Sequence, residues 1–201
     1  MKKEFSILNK EILYDGFFRL EKYRLKHTLY AGGWSAELGR ELFVRGECVG
    51  VLLYDPHTDQ VVLIEQFRVG ALQQPERAWL VEIVAGAIEE GETAVETAYR
   101  EALEEAGCAI EELLEISRFY TTPGACAERL TLFCGKVDST NVGGIHGLDE
   151  EHEDILVRAV DFADAYKMLE TCEIDSAIPI IALQWLALNR TTLRRRWGVA
   201  G

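Results

Sequence analysis

Three carboxylates, Glu101, Glu104 and Glu105, crowd the tract Arg100-Glu101-Ala102-Leu103-Glu104-Glu105. Glu101 and Glu105 are four residues apart, so on a helix they share one face. Like charges at that spacing weaken an isolated helix by a few tenths of a kcal/mol. A divalent cation reverses the sign of that interaction. Carboxylate oxygens suit hard ions such as Mg²⁺, which keeps some of its water and bridges phosphates. The chemistry to expect is therefore metal-assisted work on a phosphorylated substrate.

The surrounding sequence supplies elements to position these acids. Trp79 to Val84 reads as a short strand leading into a glycine-bounded loop, Gly86 to Gly91. A helix follows from about Thr93 to Ala106, with Thr93 as N-cap and Gly107 as its stop. Upstream, residues 5 to 46 alternate and predict three antiparallel strands near 6–13, 17–29 and 34–45. A sheet that small has little core of its own and needs something to pack against. Residues 48 to 68 predict a hairpin around Asp55-Pro56-His57-Thr58-Asp59. Strands are expected near 113–120, 128–137 and 155–160, and helices near 162–172 and 176–190. Residues 138 to 154 break the pattern with Gly143, Gly144 and Gly147 followed by five carboxylates. A structureless stretch of that length is often a lid or binding loop, though a solvated acidic loop has the same composition. Arg194-Arg195-Arg196 reads most simply as a solvated helix end.

Gly86, Glu92, Arg100, Glu101, Glu104, Glu105 and Gly107, with Ala102 and Cys108 in the apolar places, reproduce the spacing of the Nudix box. A solvated amphipathic helix explains Glu96 but not seven fixed positions, and the chain resembles the Nudix hydrolases. That resemblance implies an α/β (α+β) fold, an α/β/α sandwich around a mixed sheet. It also implies a small N-terminal antiparallel β-sheet domain over residues 1–46, used in dimerisation and substrate binding, with the catalytic domain over 47–201. It implies hydrolysis of a nucleoside diphosphate linked to another group. Glu101 and Glu105 would hold metal, Glu104 would join through water, and the Ala85 carbonyl would be a further ligand. Gly86, Glu92 and Arg100 take structural roles: Gly86 permits close backbone approach, and Glu92 pairs with Arg100.

Outside the box, Pro123 lies sixteen residues after Gly107 in Thr122-Pro123-Gly124. That proline, the tract Leu63-Ile-Glu-Gln-Phe-Arg68, the loop 144–154 and the ending Ile181-Ala-Leu-Gln-Trp-Leu186 resemble the ADP-ribose pyrophosphatase group of the family, from Tyr14 to about Asn189. The group implies cleavage of ADP-ribose to AMP and ribose 5-phosphate with two or three Mg²⁺ ions, Mn²⁺ being an alternative. Glu151 would be the general base, with adjacent Glu150 as the alternative, and Glu153 would reach a metal. The N-terminal sheet would exchange between two subunits of a domain-swapped homodimer. Phe17 and Phe18 would then contact adenine, or else serve as strand core; adjacent strand residues face opposite sides, so they cannot stack alike. Arg40, Glu41, Arg45, Arg68, Ala87, Thr122, Pro123, Gly124 and Glu128 complete the implied substrate contacts. GDP-mannose or ADP-glucose hydrolysis is the near alternative, and an ADP-ribose sensor without catalysis a more distant one.

The 201 residues suffice for one compact domain, or one plus an appendage. A formal charge of −13 argues against nucleic acid, RNA caps included, and against anionic membranes as partners. No apolar run reaches the roughly 18 residues needed to span a bilayer, and no signal-peptide core follows the basic N-terminus. Five cysteines, odd in number and without CxxC spacing, argue against a zinc site or disulfide framework. Four are expected as reduced core residues, which places the chain in the cytoplasm.

Overall fold

The computed structural model describes residues 2–199. The chain forms two compact units. One runs to Glu47 and takes in Phe119–Arg129; the other comprises Cys48–Arg118 and continues from Leu130.

In the first unit, β1 (Phe5–Asp15), β2 (Arg19–His27) and β3 (Leu38–Val44) form an antiparallel sheet in the order β1-β2-β3. β1 is exposed along its whole length. Its apolar residues, including Phe5, Ile7, Ile12 and Tyr14, therefore bury little within this unit. The carboxylate of Glu21 sits beneath Lys10 (2.9 Å), Arg19 (2.8 Å) and the Tyr23 hydroxyl (2.6 Å). Residues 125–127 lie along β3: the Phe43 N–H donates to the Ala125 carbonyl and the Ala127 N–H to the Phe43 carbonyl.

The second unit is built on β4 (Glu47–Asp55), β5 (Gln60–Phe67), β6 (Trp79–Glu82), β7 (Val84–Ala87), β8 (Glu112–Tyr120), β9 (Arg129–Lys136), β10 (Gly143–His146) and β11 (Ile155–Asp161). They make one mixed sheet, ordered β10-β11-β5-β4-β9-β8, with β6 pairing on β5 and β7 on β4. The helices are α1 (Ala94–Ala106), α2 (Phe162–Glu170) and α3 (Ala177–Arg196). Strand periodicity sorts the layers. On β4, Val49, Val51 and Leu53 pack with Ala98, Ala102 and Ala106 of α1. Gly50, on the opposite face, leaves room for Ile178 of α3; a Cβ there would lie 3.0 Å from its side chain. The sheet is thus covered on both faces, as an α/β/α sandwich requires.

Several expectations need correction. The stretch 138–154 is not structureless: Gly143–His146 pairs antiparallel with β11, and Asp149–Glu151 forms a 3₁₀ turn. The glycines hid that strand, because they carry no side chain to show alternation. The expected strand 79–84 is two strands on different neighbours, β6 on β5 and β7 on β4. α3 continues to Arg196, and its arginines are not merely solvated. Arg194 lies 3.4 Å from Asp59, and Arg196 pairs with Glu112 at 2.7 Å. None of the five cysteines is in a disulfide, but three rather than four are buried; Cys48 is half-buried and Cys172 exposed. Among the described residues, no helix is long and apolar enough to cross a membrane.

Asp55 ties the β4–β5 turn to the start of the 139–154 segment. It accepts from the His57 and Thr58 amides and from the Ser139 amide and hydroxyl, at 2.8 to 3.2 Å. Burial alone would raise its pKa; the hydrogen bonds from Ser139, His57 and Thr58 outweigh that and hold it near 2, below the ordinary 3.8. Asp55→Asn is expected to lose about 2 kcal/mol in urea unfolding at neutral pH. Because the folded pKa is depressed, this contribution is present above the ordinary value and fades as pH falls toward 2. The gap between variant and wild type should therefore narrow over that range; a constant gap would show that the charge is not the cause.

Candidate active site

α1 has a defined start and stop. The Glu96 amide donates to the Thr93 hydroxyl and the Thr93 amide to the Glu96 carboxylate, a reciprocal capping box. Glu96 is therefore a helix-start residue. Gly107 ends the helix at φ +62°, with its N–H donating to Leu103. A left-handed turn here favours glycine, and the His146 ring packs where a Cβ would sit, 2.6 Å away.

Small residues on the buried face let α1 lie close to the sheet, and this brings its acids onto the β7 backbone. Glu105 is only 3% exposed. It accepts from the Ala85 N–H at 2.9 Å. Gly86 is filled from outside by Glu101: a Cβ at Gly86 would lie 1.7 Å from Glu101 Oε1. Burial pushes Glu105 up to about 8, against the Ala85 amide and with the help of Glu101 and Glu153. Burial likewise lifts Glu101 to about 6, opposed by Arg100.

Arg100 organises the other side. Its Nε and Nη2 hold the Glu92 carboxylate at 2.9 and 3.0 Å, while Nη1 donates to Glu101 and Glu104, both at 2.8 Å. Nη2 also lies 3.3 Å from the Ala87 carbonyl. The bond from Arg100 is the main reason Glu92 is drawn down to about 2.

The 143–154 segment docks on the end of the helix. The Gly147 N–H donates to the Glu104 carbonyl at 3.2 Å. Glu153 accepts from the Leu148 amide at 3.2 Å and raises the pKa of both Glu101 and Glu105 by its charge. Glu151 is exposed on the 3₁₀ turn. Of the two loop acids, Glu153 is the one that faces the helix acids.

A buried carboxylate, Glu105, a partly buried one, Glu101, a third turned toward them and a glycine that admits Glu101 suit a hard divalent cation. Glu101, Glu105 and Glu153 are the residues that could hold it. Among the described residues no ready coordinating group of three is formed; Arg100 engages Glu101 and Glu104.

A second set gathers in the N-terminal unit. Arg45 pairs with the buried Glu128 at 3.1 Å and stacks on Phe18 at 5.4 Å. Phe18 meets Phe43 at 5.0 Å and Phe17 edge-on at 4.6 Å. Phe17 is 95% exposed. Thr122-Pro123-Gly124 begins the turn that carries residues 125–127 onto β3, with the Thr122 carbonyl accepting from Ala125 and Cys126. Arg40 and Glu41 are exposed on β3, adjacent and so on alternate faces. Arg68 follows β5, and its Nε donates to Glu82 Oε2 at 2.7 Å. Sequence reasoning passed over Glu82; the signal was a lone acid inside the apolar run Trp79-Leu-Val-Glu82-Ile-Val84.

The architecture and the box geometry coincide with a family model: residues 44–182 match the NUDIX domain. The chain belongs to the Nudix family. It is 45% identical to the ADP-ribose pyrophosphatase of Escherichia coli K12 over 98% of this chain and 94% of that protein. It is 43% identical to the Haemophilus influenzae ADP-ribose pyrophosphatase over 98% and 92%. A GDP-mannose pyrophosphatase of Shigella flexneri serotype 5b is 30% identical over 94% and 98%. A solved structure, an ADP compounds hydrolase, superposes with a TM-score of 0.73 at 20% identity, covering 95% of this chain and 97% of that one. It supports the fold.

The Gly86 geometry gives a test that separates folding from function. In Gly86→Ala the new methyl meets only the tip of a flexible side chain, so Glu101 must leave while the backbone stays. The thermal midpoint is expected to move by no more than about 3 °C. Mn²⁺ affinity, followed by titration calorimetry, is expected to fall by roughly tenfold or more. Unchanged affinity would show that Glu101 is not a ligand.

Proposed function

We propose that the protein hydrolyses the pyrophosphate of ADP-ribose to AMP and ribose 5-phosphate in a Mg²⁺-dependent reaction. The observation that carries this reading is the pair Glu101, partly buried, and Glu105, buried, cradled by Gly86 and the Ala85 amide. The ADP-ribose pyrophosphatases at 43 and 45% identity over nearly the whole chain point to the substrate. When bound, divalent cations supply charge neutralisation at the pyrophosphate and acidify water. Two or three Mg²⁺ ions, or Mn²⁺, would be held by Glu101, Glu105, Glu153 and the Ala85 carbonyl, with Glu104 at one remove.

The chain's own groups do the rest. Arg100 keeps Glu101 and Glu104 on the site side of the helix while Glu92 anchors it. Glu151, exposed and on a segment hinged by Gly147, takes the proton from the attacking water. Arg68 meets a substrate phosphate with its planar donors. Arg45, Glu128, Phe17 and Phe18 bind the nucleoside and ribose, with Arg40, Glu41, Ala87 and Thr122-Pro123-Gly124 as further contacts. The exposed apolar residues of β1 fit an exchanged sheet in a homodimer; sedimentation of the active protein as a monomer would refute this. Cysteines outside any disulfide fit a reducing compartment such as the cytoplasm.

The Shigella relative makes GDP-mannose the comparison substrate. A panel of ADP-ribose, ADP-glucose and GDP-mannose with Mg²⁺ or Mn²⁺ should show the highest kcat/KM for ADP-ribose. Binding without cleavage would instead indicate a sensor. In the same assay Glu151→Gln is expected to lower kcat by about 100-fold or more with KM nearly unchanged. An intact rate would remove Glu151 as the base.

A further inference from the structure

Glu82 lies in the β6 ladder opposite Ile64, beside the residues that pack on α1. Its side chain is 13% exposed and holds the Arg68 Nε at 2.7 Å. Arg68 itself is still extended, at φ −126° and ψ 113°, and its amide donates to the Ala78 carbonyl, so the ladder continues past the end of β5. Strand periodicity then keeps Arg68 on the side of Val62 and Ile64, which face α1.

The other Glu82 oxygen is held too. Ser176 stands at the N-cap of α3, where a serine hydroxyl normally accepts from the helix amides. Here it makes no such bond; its Oγ donates to Glu82 Oε1 at 3.4 Å. The first turn of α3 carries no acid of its own; Asp175, just before the N-cap, pairs with Arg77 at 2.8 Å, and Glu82 is a second carboxylate near this positive helix end. Arg68 also borders a cleft of about 270 Å³ shared with Arg77, Gln74, Leu80 and Ser176. An arginine released from Glu82 has room to move there.

We propose that Glu82 is a positioning residue: with Ser176 at its other oxygen, it holds the Arg68 guanidinium on the α1 side of the sheet, toward the acidic site, and so sets affinity for the phosphate of the substrate. This rests on the reading of Arg68 as a substrate contact. A purely structural ion pair would alter stability and leave kinetics alone; a positioning pair moves KM and acts only through its arginine.

The test is a double-mutant cycle on the full-length protein with ADP-ribose and Mg²⁺. Arg68→Ala is expected to raise KM. Glu82→Gln, which conserves volume, is expected to raise KM roughly tenfold with kcat within about twofold. It should add nothing further in the Arg68→Ala background. Ser176→Ala, which leaves both charges, is expected to raise KM in the same direction by a smaller factor. If Arg68→Ala raises KM and Glu82→Gln does not, the positioning role is refuted while the substrate role of Arg68 stands. Equal effects of Glu82→Gln in both backgrounds would refute action through Arg68. If Arg68→Ala leaves KM unchanged, the assignment of Arg68 fails and the proposal with it. Should Glu82→Gln not fold, an unchanged KM in Ser176→Ala would overturn the proposal by itself.

Discussion

One carboxylate, Glu105, is buried and a second, Glu101, is largely withdrawn from water, and the second unit is arranged around that constraint. Removing an ionised carboxylate from water costs several kcal/mol unless it is compensated. Glu105 receives one backbone N–H, from Ala85, and Glu101 receives one arm of Arg100. Neither is fully compensated, which is why burial lifts both above the ordinary carboxylate range. A hard cation supplies what the protein withholds. On the proposed reading, the same burial would give the site affinity for a divalent metal and, through the metal, for a pyrophosphate. An acidic chain can in this way bind an anionic substrate.

The neighbouring structure keeps the acids from escaping. Alanines on α1 bring the helix onto β4 and β5, the capping box fixes where it starts, and Gly107 fixes where it stops. β7 runs beneath, and only a glycine at position 86 admits Glu101. The Glu92–Arg100 pair braces the loop before the helix. The 143–154 segment is secured at one end by Asp55 and Ser139 and rests on the helix end through Gly147 and Glu104. That leaves Glu153 turned inward and Glu151 out. The difference is consistent with one acid serving a metal and the other serving a water that arrives with substrate.

Much of this was legible from the residues. Thr93, Gly107 and the acids four apart announced α1 and its charged face, because capping chemistry and helical period are local. The hairpin over 48–68 was equally local. What escaped was non-local. β10 pairs through glycine backbone, which leaves no side-chain alternation to read. The break between β6 and β7 depends on which neighbour each strand finds. Arg194 and Arg196 looked solvated because Asp59 and Glu112 lie far away in sequence. Glu82 was hidden for a related reason: an acid in an apolar run says that a partner exists, but not that the partner is Arg68.

The central claim is that Glu101 and Glu105 are held together to bind the metal that hydrolysis requires. The most direct measurement strips the protein with EDTA, then titrates Mg²⁺ while ADP-ribose cleavage is followed, for the wild type, Glu101→Gln and Glu105→Gln. The account expects no cleavage before Mg²⁺ is added, saturable activation of the wild type, and rates in each variant below about 1% of it at saturating metal. Cleavage by the stripped protein, or wild-type rates in Glu105→Gln, would contradict it.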